Sequence, residues 1–434
     1  MLAMGGKVKR LAGLVRAGSA VLAMLPGFVL PFVVSTRMDQ ASSDTFLLVV
    51  SIALVLINVL GNAIEINSVV FHARVSTLEQ WAGRTTYYKS VLAFAGATVL
   101  TVGIGLVALY ALDSGKPSAV WACGSVILVA PMVGAVSSLL AGRLIATGRS
   151  SSAIATQVVR MGTPLAVVSA LPSVSVFGLV CAYLAGEFLR LSILFALARR
   201  APQVVDRAAE GSEKSDPAPA KGLVWQSLSA ATAQSGPVTD RIFLNGAPAG
   251  SITAYEIADK FFFAALQFLN LTFLVALVGE WAKYNREDGT VARRAISRGI
   301  SSLTITGSVV ALAGSLACVF VVWTDIVPPQ WRSGAIWAAV LFLSLPFSLL
   351  SYAAVRLLVI VGRSEMLIRF AVANAVANAI LDYMAFLVWG PIGVPIATAV
   401  LRAFTCAAYL VVIRRQLRTY FGVDADSPRE REMV

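Results

Sequence analysis

Residues 199–222 read RRAPQVVDRAAEGSEKSDPAPAKG. Ala, Pro, Ser and charged residues follow one another there without apolar periodicity, the composition of a flexible, solvated linker. The stretch is an island. The 434-residue chain around it is 58% hydrophobic and only 13% charged, with a mean hydropathy of +0.79, whereas an ordinary soluble protein is about 25% charged. Such a composition excludes a water-soluble enzyme, and the island divides the chain into two apolar halves.

Each half holds six apolar blocks long enough to cross a bilayer, which takes about 20 residues per helix. They are Leu14–Val34, Thr45–Val70, Val91–Leu112, Ala119–Leu140, Ala153–Leu171 and Val176–Leu197, then Leu223–Leu244, Ala254–Val278, Ile300–Trp323, Ala335–Val359, Met366–Trp389 and Ile392–Ile413. The expected fold is an all-α polytopic membrane protein of twelve transmembrane helices. Its parts are a six-helix lobe over 1–198, a cytoplasmic linker over 199–222, a second six-helix lobe over 223–414 and a cytoplasmic tail over 415–434. The basic residues orient it. Of 35 Lys and Arg, 24 fall in alternate connections and tails on one side, whereas the opposite connections hold only Arg37, Lys116 and Arg332. The positive-inside rule then puts both termini in the cytoplasm and the chain in the cytoplasmic (inner) membrane. The net charge of +12 is thus a topological signal, and no nucleic-acid partner is expected. The basic N-terminus before the first apolar block lacks a small-residue cleavage site, so that block reads as an uncleaved span.

The halves repeat each other. Gly148-Arg149-Ser150 recurs as Gly362-Arg363-Ser364; Asp44 and Phe46 match Asp259 and Phe261, Glu65 matches Glu280, Gly178 and Ala182 match Gly393 and Ala397, and Arg199-Arg200 matches Arg414-Arg415. Offsets of 214 or 215 throughout argue for duplication. An even number of spans per half makes the repeat parallel, with its pseudo-two-fold axis along the membrane normal, the arrangement of transporters that rock two lobes about a central cavity.

Cys123, Cys181, Cys318 and Cys406 are scattered through apolar blocks, so neither a disulfide framework nor a metal site is expected, and the lone His72 at a membrane edge reads as structural. Ionisable residues inside spans carry more information, because each costs about 2.5–3.5 kcal/mol at the bilayer centre and needs a partner, water or ligand. Arg356 and Arg369 lie near cytoplasmic ends and are expected to snorkel. Arg16 and Arg160 are placed similarly, with an inward orientation equally open, while Glu65 and Glu280 are expected to cap or to pair with loop bases. Arg402 lies halfway along the last span; Arg190 follows Glu187 by three residues on one helical face of the sixth. In the seventh, Gly236-Pro237 loosens the helix ahead of Asp240-Arg241. Glu256 and Asp259-Lys260 open the eighth, and Asp382 follows Asn374 and Asn378 in the eleventh, where the amides are expected to hydrogen-bond neighbouring helices.

The stretch from Gly236 to Phe263, GPVTDRIFLNGAPAGSITAYEIADKFFF, resembles the start of the second half in oligosaccharide-lipid flippases of the multidrug/oligosaccharidyl-lipid/polysaccharide (MOP) exporter superfamily. An Asp-Arg pair, a Gly-containing outer turn, a Tyr and an Ala-x-Arg/Lys occur there in this order, matching Asp240-Arg241, Gly250, Tyr255 and Ala258-Asp259-Lys260. Ser43–Val70, Ser137–Arg149, Gly178–Leu191 and Gly390–Tyr409 are similar to other spans of the family, so the resemblance covers nearly the whole chain through loose motifs. It implies a flippase that moves undecaprenyl-diphosphate-linked sugars outward by alternating access through a cationic cavity, with Lys260 where relatives that flip the peptidoglycan precursor carry Arg. Those relatives have two more spans, so twelve points to the O-antigen or exopolysaccharide branch.

The chemistry of such a cargo agrees. A lipid diphosphate brings at least two negative charges into the bilayer, and Arg offers it a bidentate fork. Arg241, Lys260, Arg190, Arg402 and Arg16 are the expected substrate-binding residues, and Asp240, Asp259 and Asp382 the expected acids for coupling to protons or sodium; no other cofactor is expected. Partners would be the lipid-linked glycan, membrane lipids, and a polysaccharide polymerase and glycosyltransferases of the same pathway. Two alternatives to this reading stay open, a lipid II flippase and a cation-coupled multidrug antiporter of the same superfamily. A membrane-embedded glycosyltransferase or polymerase is disfavoured because the outer connections are short.

Overall fold

The computed structural model describes residues 22–74, 78–113, 117–147, 149–200, 236–274, 289–360 and 365–420, with six isolated positions besides. Arg16, most of the linker and the end of the tail lie outside the described residues. All regular structure among these residues is helical. That follows from the solvent: lipid satisfies no backbone N–H or C=O, so each segment must satisfy its own.

The chain divides into two compact units, Met1–Thr253 and Ala254–Val434. In the first, α1 covers Leu22–Arg37, α2 Gln40–Arg74, α3 Leu78–Thr98 and α4 Ile104–Asp113, the last two joined by a π-turn at Val99–Gly103. Then follow α5 (Pro117–Ile127), α6 (Val129–Ala146), α7 (Ser150–Ala155), α8 (Gln157–Ala170) and α9 (Val176–Arg199). The seventh expected block is described as helix α10 over residues 236–245. Helix α11, Ser251–Leu269, begins at the unit boundary, and the second unit continues with α12 (Gly289–Trp323), α13 (Pro329–Leu343), α14 (Leu345–Ile360), α15 (Glu365–Trp389) and α16 (Gly393–Tyr420).

These helices lie on the expected apolar blocks. Among the described residues seven are long and apolar enough to cross a membrane, or eight when α13 and α14 count as one span bent by 49°. The bend departs from the unbroken tenth block. Its cause is local: Pro346 has no N–H for the helical bond, and Ser344 N donates three residues back to Leu341 O, tightening the turn before it. Helix α11 carries Glu256, Asp259 and Lys260 within its 19 residues, the densest charge of any expected span start in this half. Gly390, with φ +64°, turns the chain between α15 and α16, which pack against each other. A non-glycine residue there would sit in the left-handed region.

In the first unit α2 is the central element, 78% of its apolar window being buried, by a core that includes Leu48, Ile52, Leu56, Leu60 and Ile64. It meets α6 through small residues. A Cβ on Gly142 would come within 2.8 Å of Glu65 O, and Ser68 Oγ donates to Leu139 O at 2.9 Å, so the two backbones touch. Helix α12 is the opposite case, with 11% of its window buried and Ile305, Val309, Leu312 and Leu316 exposed, the surface expected of a lipid-facing helix.

Candidate functional site: the buried ionisable residues

Helix α9 puts Tyr183, Gly186, Glu187 and Arg190 on one face by its i, i+3, i+4, i+7 spacing. Gly186 lets α8 approach so closely that a Cβ would lie 2.8 Å from Arg160 O. The neighbouring Arg160 side chain therefore reaches Glu187 and forms an ion pair with it, while Arg190 Nη1 stands 3.7 Å from the other carboxylate oxygen. Glu187 and Tyr183 are 0% exposed and Arg190 2%. Glu65 of α2 lies within electrostatic reach of both arginines. So the pairing of Arg190 with Glu187 read from their spacing is present at the margin of ion-pair distance, and Glu187's direct partner is Arg160, with Glu65 within electrostatic reach of the same cluster. Sequence spacing could not show this, because Arg160 and Glu187 meet across a helical hairpin; the only signal was the small residue at 186.

Asp240 and Arg241 are both buried on α10, where Arg241 Nη1 donates to Pro237 O at 2.9 Å, one turn back on its own helix. Just beyond, Gly250 holds φ +96° in the turn before α11. Asp44, near the start of α2, closes this turn. Its carboxylate accepts from Gly250 N at 2.6 Å, Thr253 N at 2.9 Å and Thr253 Oγ1 at 2.6 Å, capping the N-terminus of α11 from more than 200 residues away. Repetition marked Asp44 only as the counterpart of Asp259; its use as a cap was not legible.

In the second unit, Arg402 of α16 lies 4.0 Å over the Phe262 ring and donates to Ser344 Oγ at 3.1 Å, at the bend between α13 and α14. Both contacts are with uncharged groups, a cation–π contact and a hydroxyl. Tyr352 of α14 stands within electrostatic reach of Arg402, Asp259 and Arg356. Arg356 donates to Asn270 Oδ1 at 2.9 Å, so it is held by a neighbouring side chain where snorkelling was expected. Lys260 is 3.9 Å from Glu256 one turn earlier, with 28% of its side chain exposed. Asp382 is 0% exposed and accepts from Asn378 Nδ2 at 2.7 Å on the same helix, while Asn374 accepts from Thr405 of the adjacent α16, an interhelical bond of the kind expected.

The structure thus joins Arg190 to Arg160 in the first unit and gathers Arg402, Asp259 and Arg356 about Tyr352 in the second. Asp240 and Arg241 belong to the first unit, and Lys260 and Asp382 to the second. Among the described residues no group of three His, Cys, Asp or Glu side chains could hold a metal ion, and His72 instead shares a hydrogen bond with Tyr88 Oη at 3.0 Å.

No family model matches the sequence, and no curated protein matches it. Solved structures do. The lipid II flippase MurJ in an inward closed conformation superposes with TM-score 0.73 at 14% identity, over 95% of this chain and 90% of that one. An inward-facing multidrug resistance MATE family transporter of the MOP superfamily gives 0.61 at 13% identity, over 94% and 98%. A MOP superfamily transporter from Pyrococcus furiosus, distinguished by the reverse polarity of its binding pocket, gives 0.59 at 15% identity, over 94% and 96%. Over nearly its whole length, then, this chain has the multi-pass helical fold shared by these flippases and transporters of the MOP superfamily.

Proposed function

We propose that the chain is a flippase that carries an undecaprenyl-diphosphate-linked oligosaccharide across the cytoplasmic membrane by alternating access, for cell-surface polysaccharide biosynthesis. The observation that carries this reading is the burial of guanidinium groups deep in apolar helices: Arg190 is 2% exposed and Arg241 7%, in a fold otherwise like that of a lipid II flippase. Buried guanidinium groups offer a bidentate fork to an anionic cargo, and among the described residues they are buried together with Glu187, Asp240, Glu256, Asp259 and Asp382. Arg241, Lys260, Arg190, Arg402 and Arg16 would bind the diphosphate, loaded from the cytoplasm and released outside, with both termini cytoplasmic. Asp240, Asp259 and Asp382 would couple the cycle to protons or sodium; Asp382 is fully buried and accepts from Asn378. Glycosyltransferases would supply the cargo and a polymerase would consume it.

The experiment is glycan export in a strain depending on this gene. Arg241→Ala with Lys260→Ala should abolish export while the protein stays in the membrane, and normal export by the double variant would overturn the reading. A second reading, a lipid II flippase, is favoured by the TM-score of 0.73 to MurJ. Rescue of cells depleted of their lipid II flippase, with no effect on surface glycan, would select it.

A further inference from the structure

The cluster on α8 and α9 sets two guanidinium groups and a phenol against the single carboxylate of Glu187. Arg160 engages Glu187 directly, and Arg190 stops 3.7 Å short of it, beyond hydrogen-bond length. Arg160 Nε, Arg190 Nε and Nη1, the Tyr183 hydroxyl and both Glu187 carboxylate oxygens are buried without a hydrogen bond among the described residues. Two guanidinium groups and a phenol therefore converge on one carboxylate, with Glu65 as a more distant counter-charge. Unsatisfied N–H groups in a bilayer are costly, and leaving a buried guanidinium without an acceptor is the most costly case. What would satisfy this set is an anion with several acceptor oxygens and a charge of two, and a phosphate or diphosphate group has both. Arg160 is the least enclosed of the ion-paired trio, with 11% of its side chain exposed against 0–2% for Glu187 and Arg190.

We propose that Arg160 and Arg190 form a phosphate-binding pair for the diphosphate of the cargo, and that Glu187 is an exchangeable counter-ion that occupies Arg160 while the site is empty. The inference rests on the flippase reading above and adds to it Arg160 as a binding residue and Glu187 as a competitor. In the empty protein the carboxylate keeps Arg160 charged and oriented inside the membrane. On loading, phosphate oxygens replace the carboxylate at Arg160 and take up the idle donors of Arg190 and Tyr183. On release, Glu187 recaptures Arg160 and so helps to expel the product of the transport step. Removing the carboxylate therefore has two opposite effects: the empty protein becomes less stable, and the phosphate binds more tightly. A purely structural ion pair would lower stability without raising affinity.

The test uses the full chain in lipid nanodiscs, with undecaprenyl diphosphate as probe and inorganic pyrophosphate as a second arm, reading both the affinity and the unfolding temperature of the empty protein. Glu187→Gln should tighten undecaprenyl diphosphate binding about tenfold, one charge-assisted hydrogen bond's worth, while lowering the unfolding temperature. Arg160→Gln should weaken binding by about the same factor, and the double variant should return to within about threefold of wild type. Glu187→Asp, which keeps the charge, covers the case in which Glu187→Gln fails to fold; its shorter reach should also tighten binding. The same ranking with pyrophosphate assigns the site to the phosphate groups themselves, and the ranking with the lipid alone assigns it to the headgroup of a membrane-anchored ligand; either supports the proposal. Wild-type binding that none of these variants alters would overturn the proposal and leave the flippase reading standing. Absence of wild-type binding to either probe would overturn the flippase reading, and the proposal with it.

Discussion

Single residues decide more than their number suggests when the solvent is lipid. Asp44 supplies acceptors for two backbone N–H groups and one hydroxyl at the start of α11. Asp44→Ala should destabilise the protein by about 1–2 kcal/mol, the usual cost of a lost N-cap, read as a lower unfolding temperature in detergent; Asp44→Asn, which keeps one carbonyl oxygen, should lose less than Asp44→Ala. Gly250, held at φ +96° in the same turn, should tolerate no side chain without strain. Arg402 offers a second residue-scale prediction. Phe262→Leu removes the ring beneath its guanidinium but keeps apolar bulk, so about 0.5–2 kcal/mol of cation–π stabilisation should go. Transport activity should then fall by roughly the loss in Arg402→Lys, since Lys keeps the charge but not the planar contact.

Helices carry the next level of information. The approach of α8 to α9 is set by Gly186, where any side chain would meet the carbonyls of Val159 and Arg160. Gly186→Val should separate the pair and cost about 1–3 kcal/mol through overpacking; it should also break the Arg160–Glu187 ion pair without touching either residue, so export should fall while Gly162→Val, whose Cβ position meets only the Val158 side chain at 3.9 Å, leaves export near wild type. At this scale the sequence was highly legible. Apolar length marked the helical stretches, of which seven or eight among the described residues are long and apolar enough to cross a bilayer, where a helix takes about 20 residues. The breaks were less legible. Pro346 signalled the 49° bend in principle, but the π-turn at Val99–Gly103 and the stop at Leu128 depend on neighbours that the local sequence does not reveal. The candidate site was half legible for the same reason. Burial of Arg190, Arg241 and Asp382 followed from their place within apolar blocks, whereas the partners Arg160, Ser344 and Asn270 lie on other helices, 27 to 86 residues away, beyond any periodicity.

For the molecule as a whole, orientation is the property the sequence proposes most firmly and that an experiment can check most directly. With Cys123, Cys181, Cys318 and Cys406 replaced, Lys116→Cys should react with an impermeant maleimide in intact cells, and Arg363→Cys only after permeabilisation. The opposite pattern would invert the topology and with it the direction of loading. The two compact units also differ in how their buried charge is held. In the first unit Arg160 and Arg190 are balanced by Glu187 and Glu65, so that cluster carries little net charge when empty. Arg402 in the second is held by a ring and a hydroxyl, and shares the surroundings of Tyr352 with Asp259 and Arg356. The membrane voltage acts on net charge alone, doing about 2.3 kcal/mol of work per elementary charge carried through 100 mV. A rearrangement that shifts α8 and α9 along the membrane normal and leaves Glu65 of α2 behind would therefore run with or against the resting potential, while a shift of all three helices together would carry Arg160, Arg190, Glu187 and Glu65 with little net charge.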